Sequence, residues 1–320
     1  MRKLQVAFSM LLLAAGLANA QNYPNKPIRI INPYPAGNTG DISFRTIAPV
    51  LEAKLGQRFV LENKPGATGN IGAQEVARSE ADGYTLLLAP SNNFVINQFL
   101  FKSMGYDPLT SFEPITIVSD APSIVVVQPT LQVSNLRELQ ALARNSPGKL
   151  NFGSPGSGTP PHLAAEWFAK LAEVKLTHIP YRGSPAAIVG LLSNDVQVYF
   201  SILSAIEGHV RAEKLKPLAV AAQSRLSSLP NVPTTAESGF PELVTGSWWA
   251  LFAPKGTDKK IVDRLATEVR AALADSTVSS RFREMGMSVG GESSQELAAR
   301  IAAEAGSWGK VVQSIGLEPQ

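Results

Sequence analysis

Short runs rich in Val, Ile, Leu and Phe alternate with helical stripes along most of the chain, and this alternation confines it to the α/β class. Strand candidates lie at 28–32, 59–62, 85–89, 124–128, 150–153, 176–179, 196–201 and 218–222, each bounded by Gly, Pro or Asn. Between them, Phe44, Ile47, Leu51 and Leu55 repeat at three- and four-residue steps, with Gly56 as a C-terminal stop and Pro49 as a predicted kink. Leu163, Trp167 and Leu171 form a second stripe after Pro160-Pro161, where proline suits a first helical turn. The tail is helical: Ile261, Leu265, Val269 and Leu273 share one face, and Leu297, Ile301, Ala305, Trp308, Val312 and Ile315 another. Repeated βα units predict mostly parallel sheets.

Residues 1–20 read as a processing signal rather than structure. Arg2 and Lys3 precede an apolar run from Val6 to Leu17, and Ala18-Asn19-Ala20 has the small-x-small pattern of a cleavage site. The run is shorter than the ~20 apolar residues a spanning helix needs. The mature chain is expected to start near Gln21 and to reside in the periplasm. It has no cysteine, so stability must come from a core without disulfides. Without Arg2 and Lys3 the formal charge of +3 falls to about +1, and no dense Lys/Arg run supplies a patch for nucleic acid or a membrane surface. The remaining residues favour two lobes over one core. They are expected at 21–122 plus 229–320 and at 123–228, with crossings at 122–129 and between 229 and 253, and the C-terminal helices returning to the first lobe.

Two strand ends carry the strongest functional signal. The strand at 28–32 runs into Pro33-Tyr34-Pro35-Ala36-Gly37-Asn38-Thr39-Gly40-Asp41, and the strand at 150–153 into Ser154-Pro155-Gly156-Ser157-Gly158-Thr159-Pro160-Pro161. Each then enters a helix. Glycines admit close approach to backbone N–H groups, and a helix N-terminus carries partial positive charge. Such loops lie at the carboxyl ends of strands, where open α/β sheets bind ligands. Thr39, Asp41, Ser157 and Thr159 are also ordinary N-cap types. The pairing of one such loop per lobe favours an anion site. A helix N-terminus contributes roughly 0.3–1 kcal/mol, up to ~2 when partly buried, and a charge-assisted hydrogen bond roughly 1.5–3. Several together reach the ~8 kcal/mol of a micromolar complex without a buried Arg.

Catalytic readings are weaker. His162, His178 and His209 read as isolated, without metal-ligand spacing, although His162 is placed to face the cleft from its first helical turn. There is no G-x-S-x-G elbow, no Walker loop and no G-x-G-x-x-G. No catalytic residue, metal or cofactor is expected. The competing functions are an exported α/β hydrolase or transferase using the same cleft, and a binding protein that presents its ligand to a membrane sensor.

Several segments in order carry a resemblance: Tyr23-Pro24-Asn25-Lys26-Pro27-Ile28, Pro33-Tyr34-Pro35-Ala36-Gly37, Glu62-Asn63-Lys64-Pro65-Gly66-Ala67-Thr68-Gly69-Asn70-Ile71-Gly72 and Asp82-Gly83-Tyr84-Thr85-Leu86-Leu87. Pro147-Gly148-Lys149-Leu150-Asn151-Phe152-Gly153-Ser154, Pro180-Tyr181-Arg182-Gly183-Ser184, Leu229-Pro230-Asn231-Val232-Pro233-Thr234 and Trp308-Gly309-Lys310-Val311-Val312 continue it. The chain resembles the Bug family, the TctC-like solute-binding proteins of tripartite tricarboxylate transporters. The resemblance implies a type II periplasmic-binding-protein fold, with a ligand cleft between two α/β lobes. It also implies a monomer that binds a small organic carboxylate (a di- or tricarboxylate, or an aromatic acid) and partners a large and a small membrane subunit. It assigns ligand contacts to the first loop (Tyr34, Ala36, Gly37, Asn38, Thr39, Asp41), to Ser91 and Asn92, and to the second loop (Ser154, Gly156, Ser157, Gly158, Thr159). Two departures matter. Ser201 stands where many relatives have an Asp that pairs with a ligand ammonium, which favours a purely anionic ligand. Arg182 stands where relatives often have Lys, and adds positive charge at the cleft edge.

Overall fold

The computed structural model describes residues 23–319. The expected signal segment at 1–20 and the mature start near Gln21 lie outside them. Every expected strand forms, all but the one at 124–128 within a residue or two of its expected bounds, and the inner runs at 28–32, 85–90 and 198–202 are apolar and β-branched enough to be buried on both faces. Leu86 and Leu88 enter one apolar cluster while Leu87 and Ala89 enter another on the opposite side of the same strand.

In chain order the elements are β1 (Ile28–Asn32), α1 (Thr39–Leu55), β2 (Phe59–Asn63), α2 (Asn70–Ala77), β3 (Thr85–Pro90), α3 (Asn92–Val95) and β4 (Phe112–Val127). Then come α4 (Leu136–Asn145), β5 (Asn151–Ser154), α5 (Pro160–Leu171), β6 (Thr177–Pro180), α6 (Ser184–Leu192), β7 (Val198–Ile202), α7 (Leu203–Arg211) and β8 (Lys216–Val220). The chain closes with β9 (Gly246–Pro254), α8 (Lys259–Leu273), α9 (Ser276–Glu284), β10 (Ser288–Val289) and α10 (Ser294–Ser314).

The strands order as β2-β1-β3-β9-β4-β7-β5-β6, with β8 and β10 also on β4. The outer βαβ units are parallel, as expected: β1 with β2 and β3, β5 with β6 and β7. The centre is not. β9 pairs antiparallel with β3 and β4, and β4 antiparallel with β7, β8 and β10, so the sheet is mixed rather than mostly parallel.

Two central strands differ from the sequence reading. β4 runs over 16 residues, where only its last part was expected as strand. Pro114, Asp120 and Pro122 break its pattern, and the structure absorbs Pro114 at a register shift between Pro114 and Thr116. β9 contains the Trp248-Trp249 pair that was read as part of a crossing. β4 pairs with β9 as far as Pro122–Gly246 and from Ser123 onward pairs with β7 and β8. The chain thus passes between halves at Pro122–Ser123. Its return lies alongside, with Ser123 N–H donating to Thr245 O and Ala221 N–H to Ser123 O, each at 2.8 Å. Phe240 and Leu243 pack in the same cluster as Phe152 and Phe168, so we place the second crossing near Val244–Gly246, inside the expected stretch of 229–253.

The helical stripes pack much as the sequence suggests. Phe44, Ile47, Leu51 and Leu55 are buried, Gly56 adopts φ 68° with its N–H on Glu52 O, and α1 continues through Pro49 as one element. Around Trp167 the buried face is shifted: Ala164, Ala165 and Phe168 face the core while Trp167 is partly exposed. α8 packs on α1 and β4, and α10 on α3 and β4, which returns the C-terminal helices to the first half.

Candidate functional site

The first loop is built by a pair of buried asparagines. Asn38 caps α1, its Oδ1 accepting from Asp41 N–H at 3.0 Å, while its Nδ2 donates to Pro35 O at 2.6 Å. Asn32, at the end of β1, exchanges side-chain hydrogen bonds with Asn38 and accepts from Tyr34 N–H. The Asp41 carboxylate accepts from Gly37 N–H at 3.1 Å and Arg45 Nε at 3.2 Å. The Gly37 amide, expected to face an anion, is therefore spent inside the loop, and Ala36 and Gly37 lie exposed on the rim. The N–H groups of Thr39 and Gly40, at the first two helical positions, have no intrahelical acceptor. Trp249 lies directly on Gly40: a Cβ there would sit 2.1 Å from Trp249 Cε3.

The second loop is equally self-satisfied. Ser154 Oγ shares a 2.7 Å hydrogen bond with His178 Nε2, and it both accepts from Gly156 N–H and donates to Gly156 O. Thr159 Oγ1 also donates to Gly156 O, at 2.7 Å. Gly158 N–H donates to His162 Nδ1 at 3.1 Å, so that nitrogen carries no proton and the neutral Nε2–H tautomer is required. Ser157 is exposed, and its carbonyl accepts from Thr68 Oγ1 across the cleft at 3.0 Å.

His162 and His178, read from sequence as isolated, are stacked with centroids 4.0 Å apart, and His178 in turn stacks on Phe152 at 4.8 Å. Linear spacing hid this, because β6 and α5 meet only through the sheet. Burial, with His178 adding repulsion, pushes His162 down to about 3; burial pushes His178 down to about 4. Both imidazoles are thus neutral when folded and titrate near 6.5 when unfolded. Their contribution is complete above about pH 6.5 and is lost as pH falls toward 4 for His178 and 3 for His162. A wild-type thermal scan at pH 5 should show a cost on the order of 2 kcal/mol for His162 relative to pH 7. His162→Gln should flatten that slope; an equal slope in the variant would remove His162 as its source.

Around these loops lies an inner chamber of about 50 Å³. From the first half it is lined by Tyr34, Asn38, Thr39, Pro90, Asn92, Ser247 and Trp249, and from the second by Pro155, Thr159, Pro160, Pro161, Ser184 and Ile202. None of these is charged. The N-terminal ends of α1, α5 and α6 reach it at Thr39, Thr159-Pro160 and Ser184, so helix dipoles supply its positive potential. Tyr34 is fixed by its hydroxyl, which accepts from Asn92 Nδ2 at 2.9 Å and donates to Thr68 O at 3.0 Å, and by edge-on contact with Trp249. Burial raises its phenol above the ordinary value, so it stays neutral. Asn92 Oδ1 is buried without a partner.

Of the expected site residues, Tyr34, Asn38, Thr39, Asn92 and Thr159 line the inner chamber, and Gly156 and Arg182 line an outer one. Asp41, Ser154, Gly158 and His162 hold the loops instead, and Ser91 Oγ approaches Ser247 Oγ at 3.4 Å. Ser201 is turned away: strand alternation places Ile202 on the chamber and Ser201 with Tyr199, its hydroxyl on Ile202 O. Sequence reading missed Trp249, Ile202, Ser184, Ser247 and the need for Gly40. No alternation marks Trp249 in the sequence, because β9 is buried on both faces. A larger groove, about 520 Å³, lies beside the β4–β9 crossing, but its Arg300 is already surrounded by Asp120, Glu292 and Glu304, leaving it hostile to an anion.

A family model described as the tripartite tricarboxylate transporter family receptor matches residues 43–317. The chain belongs to this receptor family. The receptor is 35% identical to protein BugT of Bordetella pertussis over 320 residues, covering 99% of this chain and 98% of that protein. It is similar to the solved structure of R. palustris Rpa4515 with adipate (34% identity, TM-score 0.91, 93% of this chain and 100% of that one). It is also similar to periplasmic binding protein BugD (32%, 0.88, 93% and 100%) and to MatC (Rpa3494) from Rhodopseudomonas palustris with bound malate (27%, 0.85, 91% and 100%). The receptor therefore has the type II periplasmic-binding-protein fold, and its family and neighbours are periplasmic solute-binding proteins rather than enzymes. Among its described residues no helix is long and apolar enough to cross a membrane, and no group of His, Cys, Asp or Glu is placed to hold a metal.

Proposed function

We propose that this protein is exported, matures near Gln21, and as a monomer in the periplasm captures a small organic carboxylate for the membrane subunits of a tripartite transporter. The observation that carries the reading is the uncharged chamber onto which the N-termini of α1, α5 and α6 converge. The Thr39 and Gly40 amides of α1, together with the three helix dipoles, favour an anion there without a counter-cation. The adipate and malate of two structural neighbours are carboxylates of the same kind.

The chamber also argues against amino acids, for a reason other than Ser201. No carboxylate side chain lines it, so a ligand ammonium would be desolvated without a partner. Calorimetry on the mature protein with adipate against 2-aminoadipate, and succinate against aspartate, tests both points. The plain acids should bind, and their amino counterparts should bind more weakly by about tenfold or more. Failure of every carboxylate to bind would remove the reading; tighter binding of the amino acids would remove its ligand class.

A further inference from the structure

Gly66, Ala67, Thr68 and Gly69 follow one another with positive φ, at 143°, 45°, 52° and 89°. Glycine adopts such values freely, Ala67 and Thr68 do not, and a β-branched residue resists them most. A backbone of this kind persists only where its surroundings over-determine it. Here the surroundings are buried side chains of the first half. Thr68 O accepts from Tyr34 Oη and Asn97 Nδ2, each at 3.0 Å, with Asn92 Nδ2 and Asn93 Nδ2 at 3.4 and 3.5 Å. Asn92, Asn93 and Asn97 are fully buried, and Asn97 is itself held by Asn70 Oδ1 at 2.6 Å.

The side chain of Thr68 serves the other half. Its Oγ1 donates to Ser157 O at 3.0 Å. That acceptor is fixed as firmly as the donor. Ser157 C=O and Gly158 N–H are the two ends of one peptide group, and the N–H donates to the buried His162 Nδ1 at 3.1 Å. Engagement of the N–H polarises the carbonyl at the opposite end. A Cβ on Gly158 would lie 2.4 Å from Leu100 Cδ1, so the first half presses on this peptide directly. A second contact between the halves, Ser204 Oγ to Thr39 Oγ1, is longer at 3.4 Å. Thr68 and Ser157 thus meet already oriented, with little conformational freedom left to lose.

We infer that Thr68 is a clasp between the two ligand loops and sets how long a bound ligand stays. Its carbonyl belongs to the first half, its hydroxyl closes on the second, and the left-handed turn aims both at once. Thr68 is a positioning residue: it holds the loops together whatever lies between them. The inference rests on the carboxylate reading above for its probes.

Stopped-flow rates for succinate and adipate on the mature protein, with the melting temperature of the ligand-free protein, test this. Thr68→Val keeps the shape and loses the donor. It should speed dissociation of both acids by the same factor, about threefold to fivefold for one neutral, solvent-accessible hydrogen bond, and leave association within about twofold of wild type. Thr68→Ser keeps the hydroxyl and should return dissociation to within about twofold of wild type. The ligand-free melting temperature should stay within about 2 °C of wild type in both variants, because the bond joins halves that the ligand draws together. Equal dissociation rates for the Val and Ser variants would show that the hydroxyl is no clasp. A larger effect on adipate than on succinate would make Thr68 a ligand contact instead. A lowered ligand-free melting temperature with unchanged dissociation would make its role structural. Each of these overturns the inference while leaving the carboxylate site standing. If neither acid binds the wild-type protein, the inference falls together with the reading beneath it.

Discussion

Gly40→Ala should destabilise the protein by about 1–3 kcal/mol and weaken carboxylate binding by about tenfold or more. Helix propensity alone argues the reverse, since Ala is favoured over Gly inside a helix by roughly 1 kcal/mol. Packing decides the sign. The added methyl would lie 2.1, 2.4 and 2.7 Å from three atoms of the Trp249 ring, and that ring belongs to a central strand and is itself buried. The helix start must therefore move away from β9, carrying the free Thr39 and Gly40 amides with it. A double-mutant cycle with Trp249→Leu separates this from a generic helix effect: the Gly40→Ala cost should shrink in the Trp249→Leu background. An unaltered cost, or a gain in melting temperature from Gly40→Ala alone, would show that Trp249 does not constrain the loop.

Ile202→Asp should abolish carboxylate binding in practical terms, by about a hundredfold or more at pH 8. Ile202 lines the uncharged chamber, and two like charges ~4 Å apart repel by about 4 kcal/mol at an effective dielectric of 20. The expected loss is smaller than that figure, because the new carboxyl can take up a proton and escape part of the repulsion. Ile202→Asn, equal in size and neutral, provides the control and should lose far less. The same Asp supplies the missing partner for an ammonium group, so Ile202→Asp should bind 2-aminoadipate better than adipate. Similar affinities of the Asp and Asn variants for adipate would place the ligand elsewhere.

That experiment also shows where sequence reading reached its limit. The strand end after Phe200 reads in sequence as cleft-forming, but a period-two strand puts neighbours on opposite faces, and one step of register separates Ser201 from Ile202. The glycine loops were legible as helix starts beside strand ends. Which of their N–H groups remain available was not, because Asp41, Ser154 and His162 take the amides of Gly37, Gly156 and Gly158 through local folding that composition does not encode. The outer βαβ units could be read because each is local. β9 could not, since a strand buried on both faces shows no alternation and its partners β3 and β4 lie more than a hundred residues away in sequence. The proximity of His162 to His178 is likewise a product of tertiary structure.

The threading of the halves through β4 has an evolutionary reading. The stretch that leaves at Ser123 returns at Thr245 one hydrogen bond away, at 2.8 Å, so its two ends are neighbours in space. It enters and exits the rest of the molecule like a cassette with adjoining terminals. Recombination that exchanges such a cassette between relatives would replace Pro155, Thr159, Arg182, Ser184 and Ile202 in one event, while leaving Tyr34, Thr39, Asn92 and Trp249 untouched. On the carboxylate reading, one half of the site would then keep its contacts to the ligand, while the other is free to be traded for a different specificity.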